Sequence, residues 1–208
     1  MVVVMRGLYA AKPWFTRQLG RIVTVAVDRG WSPDAFTAAG VAFAAVAAGG
    51  LLAGWWPLVL IGLVGRLAGA NLDGAVARAR GVSRPFGFVL NEIGDRASDL
   101  LPSAALSIVA WQTGSLAALV LALVAITAAS LPTFVSLAAA AAGAPRINGG
   151  PFGKTESALA VFLMSMAFSW FPADAVIGVG SVVIIAGSTV TAATRTRAAH
   201  RHLQLVDA

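Results

Sequence analysis

The sequence predicts an all-α membrane protein, with six transmembrane helices preceded by an amphipathic helix that lies in the membrane interface. Three observations lead there. Apolar residues make up 58% of the 208-residue chain and charged residues only 12%, too few to solvate the surface of an ordinary globule. Six windows are apolar over about the 20 residues that a hydrocarbon core of about 30 Å requires, namely 36–55, 58–78, 87–111, 115–143, 155–171 and 175–194. Lys and Arg, finally, fall on alternate connections. The loops near Trp56, 112–114 and 172–174 have none, while Arg80, Arg84, Arg146 and Lys154 occupy the others. The chain ends are basic too, through Lys12, Arg17, Arg21 and Arg29 at one and Arg195, Arg197 and Arg201 at the other. Because cytoplasmic loops are the basic ones, both termini are expected in the cytoplasm, with the chain a multi-pass protein of the inner (plasma) membrane.

Each element has its own signal. Residues 12–27 set Trp14, Phe15, Leu19, Ile22 and Val23 against Arg17, Gln18 and Arg21 at roughly helical spacing, as in a helix lying along the inner leaflet. Ser32-Pro33 combines a hydroxyl cap with proline at the first helical position and starts the first span. Small residues, among them Gly49, Gly50, Gly62, Gly65, Gly69, Gly178 and Gly180, allow helices to approach closely in a compact bundle. The expected organisation is a juxtamembrane segment (1–30), a six-helix domain (31–195) and a cytoplasmic tail (196–208).

Composition also excludes functions. There is no cysteine, and both histidines, His200 and His202, lie in the tail, so any metal must be held by oxygen. The net charge of +6 is scattered, without an aromatic-interleaved patch, and points to membrane lipids, not nucleic acid. The apolar stretch at Met1–Met5 is too short for a signal peptide. No internal repeat suggests a transporter of inverted halves.

Residues 71–99 place acids, amides and arginines within apolar spans, and ionisable groups at membrane depth mark function. Asn91, Asp95 and Asp99, four apart, share one face of the third span. Asp73, on the second span, lies about 10 Å from that helix's cytoplasmic end, at 1.5 Å per residue. The two faces can therefore present oxygen ligands to one pocket open to the cytoplasm, suited to a hard divalent cation. Asp99 reads either as a metal ligand or as the partner of Arg96 or of an arginine on an adjacent helix, and Arg66 as charge compensation. Gly74 either lets a ligand approach the backbone or packs a helix.

These residues resemble the signature of the CDP-alcohol phosphotransferase family, D-x-x-D-G-x-x-A-R-x(8)-G-x(3)-D-x(3)-D, with Asp73, Gly74, Ala77, Arg78, Gly87 and Asp95 at matching positions. Ala70 stands where the first acid is expected and Asn91 where the third is. Reading Asp95 and Asp99 as the last acid pair would require glycine at position 91, so the unshifted register holds. Ser32-Pro33-Asp34-x-x-Thr37 and Gly153-Lys154 resemble the family's first-helix entry and its phosphate-holding segment. The likeness spans residues 30 to 195.

The resemblance implies phospholipid biosynthesis, by transfer of a phosphoalcohol from a CDP-linked lipid donor to an alcohol acceptor with release of CMP. It also implies Mg²⁺ or Mn²⁺ and a homodimer. Carried over by position, Asp73, Asn91, Asp95 and Asp99 are the metal candidates and Asp95 the catalytic base. Gly74, Ala77, Arg78 and Gly87 surround the cytidine diphosphate, and Lys154 meets a phosphate. The acceptor is expected to be phosphorylated, from the number of basic residues nearby. The alternative is a relative without turnover that binds CDP-lipid as a scaffold or regulator.

Overall fold

A computed structural model describes residues 12–204. Those residues form eight helices: α1 (Lys12–Gln18), α2 (Gly20–Asp28), α3 (Pro33–Leu52), α4 (Trp56–Ala79), α5 (Pro85–Gln112), α6 (Leu116–Ala141), α7 (Lys154–Ala167) and α8 (Ala173–Gln204). The expectations for Met1–Met5 and for the last residues of the tail fall outside the described residues.

The six apolar windows correspond in order to α3–α8. Among the described residues, four helices, α3, α4, α6 and α8, are long and apolar enough to cross a membrane. Two are not. Asp95, Arg96 and Asp99 interrupt α5, and α7 has only 14 residues. Residues 12–27 are helical but break at Leu19 into α1 and α2, which both pack on α4. Helix α8 runs on to Gln204, past residue 195.

Local chemistry sets the helix starts. The Ser32 hydroxyl accepts from the Asp34 N–H at 3.3 Å, with Pro33 following. Ser115 Oγ caps α6 through the Ala118 N–H at 3.3 Å. Pro57 and Pro85 occupy the first turns of α4 and α5, where a missing N–H removes no helical bond. At α7 the Glu156 carboxylate reaches back to the Gly153 N–H at 2.9 Å.

The bundle is apolar outside and encloses polar and charged groups beside its apolar core. Ile61, Leu123, Phe134 and Val179 are exposed, whereas Arg66, Asp73, Ser136, Ser188, Thr191 and Arg195 are buried. That inversion, with the apolar helices, describes a multi-pass membrane protein. Exposed Trp55, Trp111 and Trp170 sit where α3–α4, α5–α6 and α7–α8 are joined, the aromatic placement expected at an interface.

Glycine seats α3 on α4. A Cβ at position 62 would lie 2.4 Å from the Ala47 backbone nitrogen, and one at 69 would lie 2.7 Å from the Gly40 Cα. The main core, including Leu51, Val59, Ala110, Ala118 and Ile177, fills the tryptophan-bearing end. A small cluster of Ala139, Ala144 and Ala199 closes the other end. Between them lies polar space.

Candidate functional site

That space is a cavity of about 590 Å³. Helix α4 contributes Arg66, Ala70, Asp73, Gly74 and Arg78 to its wall, and α5 contributes Asn91, Glu92, Asp95 and Asp99. Lys154 enters from the first turn of α7, and Ser136 and Arg195 come from α6 and α8. Of the residues singled out in the sequence, Asp73, Gly74, Arg78, Asn91, Asp95, Asp99 and Lys154 are thus brought together. Ala77 and Gly87 are not part of the wall.

The loop before α7 is tied down so that Lys154 arrives where it does. Buried Arg195 donates to the backbone carbonyls of Gly149 (2.8 Å), Asn148 (3.2 Å) and Pro132 (2.7 Å). The Phe152 N–H donates to Thr191 Oγ1 at 2.9 Å. Gly150, at φ +141°, fits here because a Cβ would meet the Thr191 methyl at 2.3 Å. This conformation disfavours side chains.

Nearly every acid in the cavity has a partner. Lys154 Nζ pairs with Asp95 Oδ2. Asp99 lies between two guanidiniums, Arg66 on Oδ1 and Arg96 on Oδ2 (2.8 Å). Arg146 pairs with Glu92. Buried Asp73 accepts from neutral donors only among the described residues: Thr37 Oγ1 at 3.0 Å, Asn91 Nδ2 and the Gly74 N–H. Five basic residues (Arg66, Arg78, Arg146, Lys154, Arg195) and five acidic ones (Asp73, Glu92, Asp95, Asp99, Glu156) line the cavity, so its formal charge balances without any added ion.

This donor set does not fit the pair of divalent cations that the family resemblance implies. Magnesium and manganese need several anionic or carbonyl oxygens around each ion. Here Ala70 supplies none, Asn91 turns its amide N–H toward Asp73, and Asp95 is engaged by an ammonium. Neither Asp99 nor Glu92 compensates, since arginines hold both. Among the described residues no group of three acids or histidines is placed to hold a metal.

Three features of the site are tertiary. Thr37 bonds Asp73 across 36 positions in the chain, Arg146 meets Glu92 across 54, and Arg195 secures the loop before α7. The one sequence signal for the last was an arginine at the end of an apolar span.

No protein-family model and no curated protein matches the chain. Solved structures do, among them three of the phosphatidylinositol phosphate synthase PgsA1 of Mycobacterium tuberculosis. With CDP-DAG bound, that enzyme superposes at a TM-score of 0.71 and 23% identity, covering 88% of this chain and 94% of the synthase. In complex with manganese and citrate the TM-score is 0.63 at 25% identity, over 86% and 87% of the two chains. The apo form gives 0.64 at 21%, over 85% and 93%. The chain therefore has the fold of a CDP-alcohol phosphotransferase.

Proposed function

We propose that this protein binds a CDP-linked lipid in the cavity and transfers its phosphatidyl group to an alcohol, with release of CMP, in phospholipid biosynthesis. The observation that carries this reading is the convergence of Asp73, Gly74, Arg78, Asp95 and Lys154 on one cavity, in a fold shared with a synthase solved with CDP-DAG bound. In the reaction the alcohol oxygen bonds to the lipid-side phosphorus. The bond from that phosphorus to the CMP oxygen breaks, CMP leaves with the electron pair, and the hydroxyl proton passes to Asp95 as general base. Arg78 and Lys154 face the diphosphate, and Asp73 orients Asn91 and Thr37 beside it. Gly74 keeps the wall open, since a Cβ there would lie 3.1 Å from the Arg78 guanidinium.

The same reading seats all six helices α3–α8 in the plasma membrane, with both termini cytoplasmic and α1–α2 along the inner leaflet, and pairs the chain as a homodimer. It divides the protein into the juxtamembrane segment 1–30, the bundle 31–195 and the tail. Release of CMP from CDP-diacylglycerol by detergent-purified protein, measured across a panel of phosphorylated and free alcohols, tests it. A second reading, binding without turnover, is favoured by the ion pair that occupies Asp95. CDP-diacylglycerol binding with no CMP from any acceptor would establish that second reading.

A further inference from the structure

We infer that this chain meets the diphosphate of its nucleotide with a resident ammonium, that of Lys154, in place of divalent cations. The inference rests on the CDP-lipid reading above and specifies how the ligand's charge is met. Three features converge on one place. Ala70 and Asn91 remove two carboxylates from the signature face. Lys154, its side chain 33% exposed, occupies Asp95.

Beside Ala70 a void of about 10 Å³ is bounded by Thr37, Arg66, Asp73, Asp95 and Ser98. It has room for about one water molecule, and the Arg66 guanidinium on its wall opposes a cation that Asp73 and Asp95 would attract. Arg66 cannot readily turn away, because it is buried and half-buried Asp99 holds it in an ion pair. An ammonium has three donor hydrogens. Lys154 can therefore keep Asp95 and still present N–H groups to phosphate oxygens in the cavity. Arg78 lies at the exposed end of the same wall, makes no ion pair with a described residue, and supplies a second cation. Asp95 thus positions the lysine as well as facing the acceptor.

Two measurements on the detergent-purified protein decide this. In the first, CDP-diacylglycerol binding is compared in EDTA and in Mn²⁺. Equal affinity in both is expected, with Lys154→Gln weakening it about ten- to a hundredfold, the loss of a charged hydrogen bond. Binding that vanishes in EDTA and returns with Mn²⁺ would overturn the inference.

In the second, Mn²⁺ alone is titrated and followed by its paramagnetic resonance signal, a readout independent of nucleotide and turnover. The wild type leaves the ion free, whereas the Ala70→Asp/Asn91→Asp/Lys154→Gln variant takes it up. Stoichiometric uptake by the wild type that Asp73→Asn abolishes would refute the exchange. So would a triple variant that keeps the wild-type unfolding midpoint and still leaves Mn²⁺ free. Absence of CDP-diacylglycerol binding in both media would instead sink the donor assignment, while the Mn²⁺ titration would still judge the cation exchange.

Discussion

The α3–α4 seam and the polar cavity share helix α4, yet they answer to different physics. At the seam Gly62 meets the Ala47 backbone and Gly69 meets Gly40, so the contact is decided by volume, atom against atom. In the cavity Arg66, Asp73 and Arg78 of the same helix face Asp99, Asn91 and open space, and the contacts are decided by charge. Helices in lipid gain little from burying apolar surface, since the tails outside are equally apolar. Gly62, Arg66, Gly69 and Asp73 alternate along α4, so close approach and balanced charge act turn by turn on the same helix. The seam should reject added volume whatever its polarity, and the cavity should accept size changes that leave its charges paired.

That contrast can be broken at its strongest point first. Asp95→Asn removes the proposed base and the lysine's counter-ion, and is expected to lower CMP release by about 10²–10⁴-fold at saturating donor, with CDP-diacylglycerol affinity measured alongside. Asp99→Ala strands buried Arg66, 5% exposed. Breaking such a pair is expected to destabilise by about 3–5 kcal/mol, read from denaturant unfolding in mixed micelles. Replacing both partners, Arg66→Met with Asp99→Leu, is expected to recover much of that loss.

At the seam, Gly62→Ala adds only a methyl group, with no charge. Forcing its Cβ against backbone is expected to destabilise by about 1–3 kcal/mol, seen as a lower thermal midpoint. The same substitution in the cavity gives the smallest effect. A Cβ at 74 meets only the mobile end of Arg78, so Gly74→Ala is expected to leave stability unchanged or raise it by up to about 1 kcal/mol through helix propensity. Its effect belongs to ligand affinity. Equal losses at 62 and 74 would erase the distinction between the two regions.

Helices α3, α4, α6 and α8 were legible because lipid imposes length and apolarity on a span, and both are local properties. The α3 start was equally legible, for Ser32 and Pro33 act within one turn. The shared face of Asn91, Asp95 and Asp99 follows from the helical repeat alone. Two segments were less clear. The polar half of α5 departs from the composition of a simple span, and α1–α2 break at Leu19, where Gly20, a weak helix former, is the local mark of an interruption that the spacing of apolar residues did not show. For Asp99 the sequence left two roles open. Arg96 was one partner that the sequence offered, and the fold adds Arg66 from 33 positions away.

By itself the sequence determined the helices, their apolar exteriors, the signature spacing and the absence of two acids, because each is written within a few turns of one segment. Only the tertiary structure decided which charges meet. Lys154 and Asp95 lie 59 positions apart, and their pairing depends on a loop that Arg195 and Thr191 hold from another helix. Coulombic attraction in a low-dielectric interior acts through distance in space, which no spacing along the chain encodes.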